Sequence, residues 1–230
     1  MKSYLKFAIV LAPLVFGGCA VAPQQTVQLD KSTLVSQTSA VGVAMTALPK
    51  VDTDFPGAGC LLCMAAASVA NNSLTTYTRT LPSDDIAAFK NQMADALRAK
   101  GVKVTVIDDS IDLDKLQSYS GSGSSLAKKD FSLFKAKYNI DKLVVIDVHT
   151  LGMQRTYSAY IPTSDPKAVL DGTGYMVNLS TNTYEWYLPV NIQKSSDGAW
   201  DEPPSYPGLT NAYYQAIEQG KDSFLKPFAN

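Results

Sequence analysis

Histidine is the scarcest chemistry in this chain of 230 residues: one imidazole, His149, and three cysteines are the only imidazole and thiolate ligands it offers. A structural zinc site takes about four such ligands, so most recognisable metal centres are excluded, and a histidine-based mechanism would hang on one residue. Charge of one sign is missing too. Twenty basic against 21 acidic side chains leave a net charge of −1, without the electrostatic footprint of a nucleic-acid partner. No Gly-x-Ser-x-Gly elbow is present, and the Gly121-Ser-Gly-Ser-Ser run lacks both its spacing and a preceding strand. Gly57-x-Gly59 runs straight into Cys60 and Leu61, where a dinucleotide fingerprint would need its third glycine. No repeat with a period of about 20–50 residues indicates a solenoid. With 46% hydrophobic and 18% charged residues, what remains is an ordinary folded protein.

The amino terminus carries an address. Lys2 and Lys6 form a positive region, Phe7 to Phe16 an apolar one, and Gly17-Gly18-Cys19 follows, in the layout of a secretory signal. The apolar stretch contains Pro13 and is too short to span a bilayer, which takes about 20 residues. Leu14-Val15-Phe16-Gly17-Gly18-Cys19 resembles a bacterial lipobox, with Phe16 where leucine is usual. The resemblance implies that residues 1–18 are removed and that Cys19 receives diacylglycerol and palmitate chains. One acyl chain binds a bilayer only marginally; two or three make attachment durable. The alternative is a secreted protein cleaved nearby, with Cys19 incidental. Ala20 after the cysteine implies, by analogy with lipoprotein sorting, the periplasmic face of the outer membrane. Losing residues 1–18 takes away two lysines and no acid, moving the formal charge from −1 to −3. Polar residues 19–38 read as a lipidated tether.

One domain over 39–230 follows. Val41, Val43 and Met45 alternate as a first strand; Ser83 starts a helix with the stripe Ile86, Phe89, Met93 and Leu97, ending at Gly101. Val102, Val104 and Val106 give a second strand, and Phe131, Phe134 and Tyr138 a short helix. Leu143 to Val148 is almost continuously β-branched, as a strand covered on both faces requires. A strand from Tyr157 to Ile161 precedes a hairpin of Gly174 to Leu179 with Tyr184 to Ile192, in which Tyr184, Trp186, Leu188, Val190 and Ile192 are predicted to share one face. Pro207 opens a last helix, stopped by Pro227. The fold class is α/β (α+β): a mixed β-sheet with three to four packed helices, in the order β-α-β-α-β-β-β-β-α.

This order, with the Leu143 to Val148 strand and the hairpin Gly174-Tyr-Met-Val-Asn-Leu-Ser-Thr-Asn-Thr-Tyr-Glu-Trp186, is similar to the periplasmic domains of envelope lipoproteins. These relatives include the curli secretion channel, the exopolysaccharide export lipoprotein, the activator lipoprotein of penicillin-binding proteins and the TolB N-terminal domain. It implies a non-enzymatic protein that assembles into homo-oligomers or docks onto envelope machines, and it transfers no site residue.

Three constellations could carry chemistry. Cys60-Leu-Leu-Cys63 opens an Ala-rich run to Ala70 whose only polar member is Ser68. The cysteines are open to three readings: a structural disulfide or two buried thiols, a thiol–disulfide redox pair, or part of a surface for a membrane or another subunit. Asp147 and His149, at the end of the central strand, fall on one face of an extended chain, where a satisfied structural histidine or an active-site group would fit. Asp108, Asp109, Asp112 and Asp114 lack the spacing of a calcium loop and read as a solvated turn. Finally, Tyr184, Trp186, Tyr187, Trp200, Tyr206, Tyr213 and Tyr214 are either core packing or a glycan-binding platform. The reading is a lipid-anchored envelope component with Cys19 as its site, with no catalytic residue, metal or cofactor beyond that lipid. Its expected partners are the membrane and envelope proteins, not nucleic acid.

Overall fold

A computed structural model describes residues 23–30, 32–35, 39–121 and 123–229. In chain order its elements are α1 (Ser32–Val35), β1 (Ala40–Met45), β2 (Asp52–Asp54), α2 (Leu61–Ala70), α3 (Asn72–Thr78), α4 (Asp84–Ala87), α5 (Phe89–Arg98) and β3 (Lys103–Val106). There follow α6 (Leu133–Tyr138), β4 (Lys142–Gln154), β5 (Tyr157–Ser158), β6 (Ile161–Pro162), β7 (Lys167–Asn178), β8 (Thr183–Ser195) and α7 (Pro207–Leu225). The sheet is mixed, in the order β3-β1-β4-β7-β8, with β2 pairing on the far end of β4. β4 is parallel to β1 and β2 and antiparallel to β7.

The predicted central strand is the centre. Leu143, Val144, Val145 and Ile146 are closed to solvent because both faces are covered. Val144, Ile146 and Val148 meet Phe89, Met93 and Leu97 of α5 and Tyr213, Ile217 and Phe224 of α7 in the main core. Leu143 and Val145 turn the other way, onto Phe131 and Phe134 around α6, with Tyr175 and Val177.

Two bulges reset the alternation. In β4 the register shifts between Val148 and Thr150, so the core positions change from even to odd numbers and Leu151 and Met153 are the next to face α7's side. In β8 Glu185 is the extra residue, since Met176 faces Trp186 while Val177 faces Tyr184. Tyr184 is therefore moved to the α6 face with Tyr187, away from Trp186, Leu188 and Ile192, which corrects the shared face predicted from simple alternation. Gly174 lies under the Trp186 and Phe224 rings, into which a Cβ would run.

Other expectations change in detail. The helix predicted from Ser83 is two helices, broken at Ala88. The strand predicted over Tyr157 to Ile161 is the two-residue hairpin β5–β6, turned by Ala159 at φ +55°. β2, α2 and α3, absent from the predicted order, lie between the first two strands of that order.

The described part of the expected tether lies against the domain. Val27 exchanges backbone hydrogen bonds of 2.9 Å with Tyr187, Leu29 and Leu34 pack on the main core, and Lys142 Nζ donates to the Thr33 carbonyl at 2.8 Å. The same ammonium pairs with Glu185 at 2.7 Å, both side chains being largely buried, and Asn178 donates to the other Glu185 oxygen at 2.9 Å. Removing one member of a buried pair leaves an uncompensated charge, at a cost of about 3–5 kcal/mol. Glu185→Ala is accordingly expected to lower the unfolding free energy by about that amount in urea titration; a loss below about 1 kcal/mol would show that the pair is dispensable.

Candidate functional site

Beyond the end of β4 a small apolar cluster of Phe55, Ala58, Cys63, Ala67 and Tyr157 carries α2 and the β5–β6 hairpin. Gly57, at φ +86°, makes the turn leading into α2, and a Cβ there would collide with the Tyr157 carbonyl. Asn71, buried after α2, donates to the Ala67 carbonyl at 2.7 Å and to the Tyr157 hydroxyl at 2.6 Å. Its side-chain oxygen accepts from Arg155 Nη1 at 2.9 Å. These bonds lock the helix to the hairpin.

Cys60 and Cys63 are joined by a disulfide across the first turn of α2. The Cys63 amide points at Cys60 Sγ, 2.9 Å away, so this sulfur acts as the helix N-cap. Only Cys63 and Ala67 of α2 are buried. Leu61 is 87% exposed, Leu62 70% and Val69 79%, and Tyr160 and Ile161 of the hairpin are also exposed. Tyr160 reaches Cys60 Sγ at 3.7 Å, so helix and hairpin form one patch. From Phe55 to Thr78 the sequence contains no charged side chain. Monomers rarely leave an apolar surface of this kind uncovered without an interaction to serve.

The β4 bulge creates a second cluster. His149 Nε2 lies 3.0 Å from Asp147 Oδ2, and Nδ1 lies 3.5 Å from Asp171 Oδ2. Asp147 also accepts from Thr46 Oγ1 at 2.8 Å and borders an open cleft of about 480 Å³ with Ala47 and the Ser110–Lys115 stretch. The hydrogen bond to Asp147 and the two carboxylate charges raise the His149 pKa, against partial burial. Asp171 is invisible to a local reading because it lies across the strand pair. The hydroxyl touching this cluster, Thr46 Oγ1, is already donated to Asp147, and the arrangement works as an ion cluster that pins the bulge.

The remaining predicted groups do not converge. Asp108 pairs with Lys90 at 3.8 Å, while Asp112 accepts from the Asp114 amide and pairs with Lys115. Among the described residues no group of three or more His, Cys, Asp or Glu is arranged to hold a metal, and no helix is long and apolar enough to cross a membrane. Trp186 is a core residue packed edge-on to Phe228, which removes it from any glycan platform. Trp200 is flanked by Tyr206 and Arg155, and burial pushes the Tyr184 hydroxyl up to about 12. Cys19 lies outside the described residues.

No family model matches the chain, and no curated protein matches it. Several solved structures are similar in fold. A PelC dodecamer from Paraburkholderia phytofirmans is 12% identical, with a TM-score of 0.38 over 89% of this chain and 95% of that one. Lipoprotein GNA1162 from Neisseria meningitidis is 10% identical, with a TM-score of 0.36 over 79% and 94%. A DUF330 protein from Xanthomonas campestris is 10% identical, with a TM-score of 0.37 over 80% and 78%. They do not single out the curli or TolB group, and at such scores the likeness carries no functional argument.

Because His149 has a raised pKa in the folded chain, its pairing stabilises fully below the unfolded value of about 6.5 and is lost as pH rises through the folded pKa. Asp147→Asn is expected to bring the imidazole titration, followed by NMR, down toward about 6.5. An unmoved titration would remove Asp147 as the cause.

Proposed function

We propose that the chain is a lipid-anchored, non-enzymatic structural or assembly component of the bacterial envelope, held by Cys19 at the periplasmic face of the outer membrane. The observation that carries this reading is the lipobox-like run Leu14 to Cys19, placed ahead of a folded domain. The uncharged patch on α2 and β5–β6 supports the assembly role, because a surface so apolar serves contact better than turnover. Acyl chains supply about 0.8 kcal/mol per buried methylene, so the anchor dominates where the protein resides. Cys19→Ser is expected to abolish lipid labelling and leave the precursor uncleaved. Unchanged labelling and processing would overturn the reading.

A thiol–disulfide role is second, favoured by an exposed Cys60 at a helix start with Cys63 buried behind it. Against it, no charged side chain lies between Phe55 and Thr78 to stabilise a thiolate. Cys63→Ser would free Cys60 to trap substrates as mixed disulfides if it attacks them. The structural role predicts that no such adducts accumulate on a non-reducing gel.

A further inference from the structure

A helix that is apolar on every side belongs in an interior, yet α2 turns inward only the narrow Cys63 and Ala67 line. Helical spacing puts Leu61, Ala65 and Val69 on a second line directly opposite, with Leu62 beside them. This outer line is large, small, large. Laid antiparallel on a copy of itself about Ala65, it brings Leu61 of each helix onto Val69 of the other, while the alanines let the two axes approach. A twofold contact requires such self-complementarity, since each residue meets the surroundings of its own counterpart.

Charge satisfies the same condition. A charged side chain near a twofold faces its own like, and none occurs from Phe55 to Thr78 or from Thr156 to Ser164. The patch also gathers six exposed apolar side chains, Leu61, Leu62, Met64, Val69, Tyr160 and Ile161, and an apolar surface of that kind marks an interaction site. An in-plane membrane helix would instead pair an apolar face with a strongly charged one, and α2 has no charged residue at all. The described amino-terminal residues lie at the other end of the sheet, where Gln24 bonds to Ser124 beside the β7–β8 turn, so pairing through α2 leaves them uncovered.

We infer that α2 and the β5–β6 hairpin form a twofold contact between two copies of this chain, with the helices antiparallel about Ala65. The inference rests on the assembly reading above and supplies its first partner. The test uses the full acylated chain in its own envelope, with a photo-crosslinking amino acid at position 65. A product of twice the chain's mass is expected, and its loss in the Leu61→Asp/Leu62→Asp double variant. Val69→Asp, at the other end of the line, is the second variant. Far-UV circular dichroism identifies whichever variant keeps its fold, and that one is read. Monomer alone, a product of another mass, a crosslink to lipid only, or a dimer that survives the folded variant would each overturn the pairing. Sedimentation of the same samples reads the anchor separately: failure of pairing with the chain still on the membrane sinks only the dimer.

Discussion

Backbone satisfaction of β4 is the constraint on which the rest of the structure depends. A strand with both faces closed to water must find a partner for every amide and carbonyl. β4 pairs with β1 along its first half, with β2 at its far end and with β7 along its whole length. Because β1 pairs in parallel with β3 on one side and β4 on the other, the chain needs crossovers to return, and α4, α5 and α6 lie within them. Because β7 and β8 are antiparallel, the second half folds by hairpins. The two halves of the sequence differ in texture for this reason.

Irregularities in that spine decide where polar chemistry is found. The bulge at His149 re-phases the strand so that Leu151 and Met153 continue the core, and the residue it leaves over is held between Asp147 and Asp171. The bulge at Glu185 likewise sits beside the ion pair with Lys142. Each extra residue is thus a polar one with an oppositely charged partner beside it.

Much of this was legible in the sequence, and the failures have physical causes. β1, β3 and α7 could be read because their apolar residues follow one period, and the first half of β4 because Leu143 to Val148 is an almost unbroken β-branched run. The two-faced alternation of β8 could not, since a bulge depends on the partner strand and leaves no local mark at Glu185. β2 is three residues long with two aspartates, and it is a strand only because the end of β4 is there to pair with it. The Cys60 to Ala70 run was visibly unusual, but its three readings could not be separated without knowing that the small cluster under Cys63 and Ala67 leaves the opposite side bare. Trp186 illustrates the reverse: an aromatic that composition alone offers to a sugar is spent on packing Phe228.

The docked amino-terminal segment also sets a geometry for the anchor. Composition reads residues 19–38 as a long leash, yet the chain is already fixed to the sheet by Val27 and Thr33. From Cys19 to the first described residue, Pro23, the four Cα–Cα steps extend at most about 14 Å. Under the proposed acylation of Cys19, such a stem would be shorter than the domain's own sheet and would hold the domain close to the headgroups.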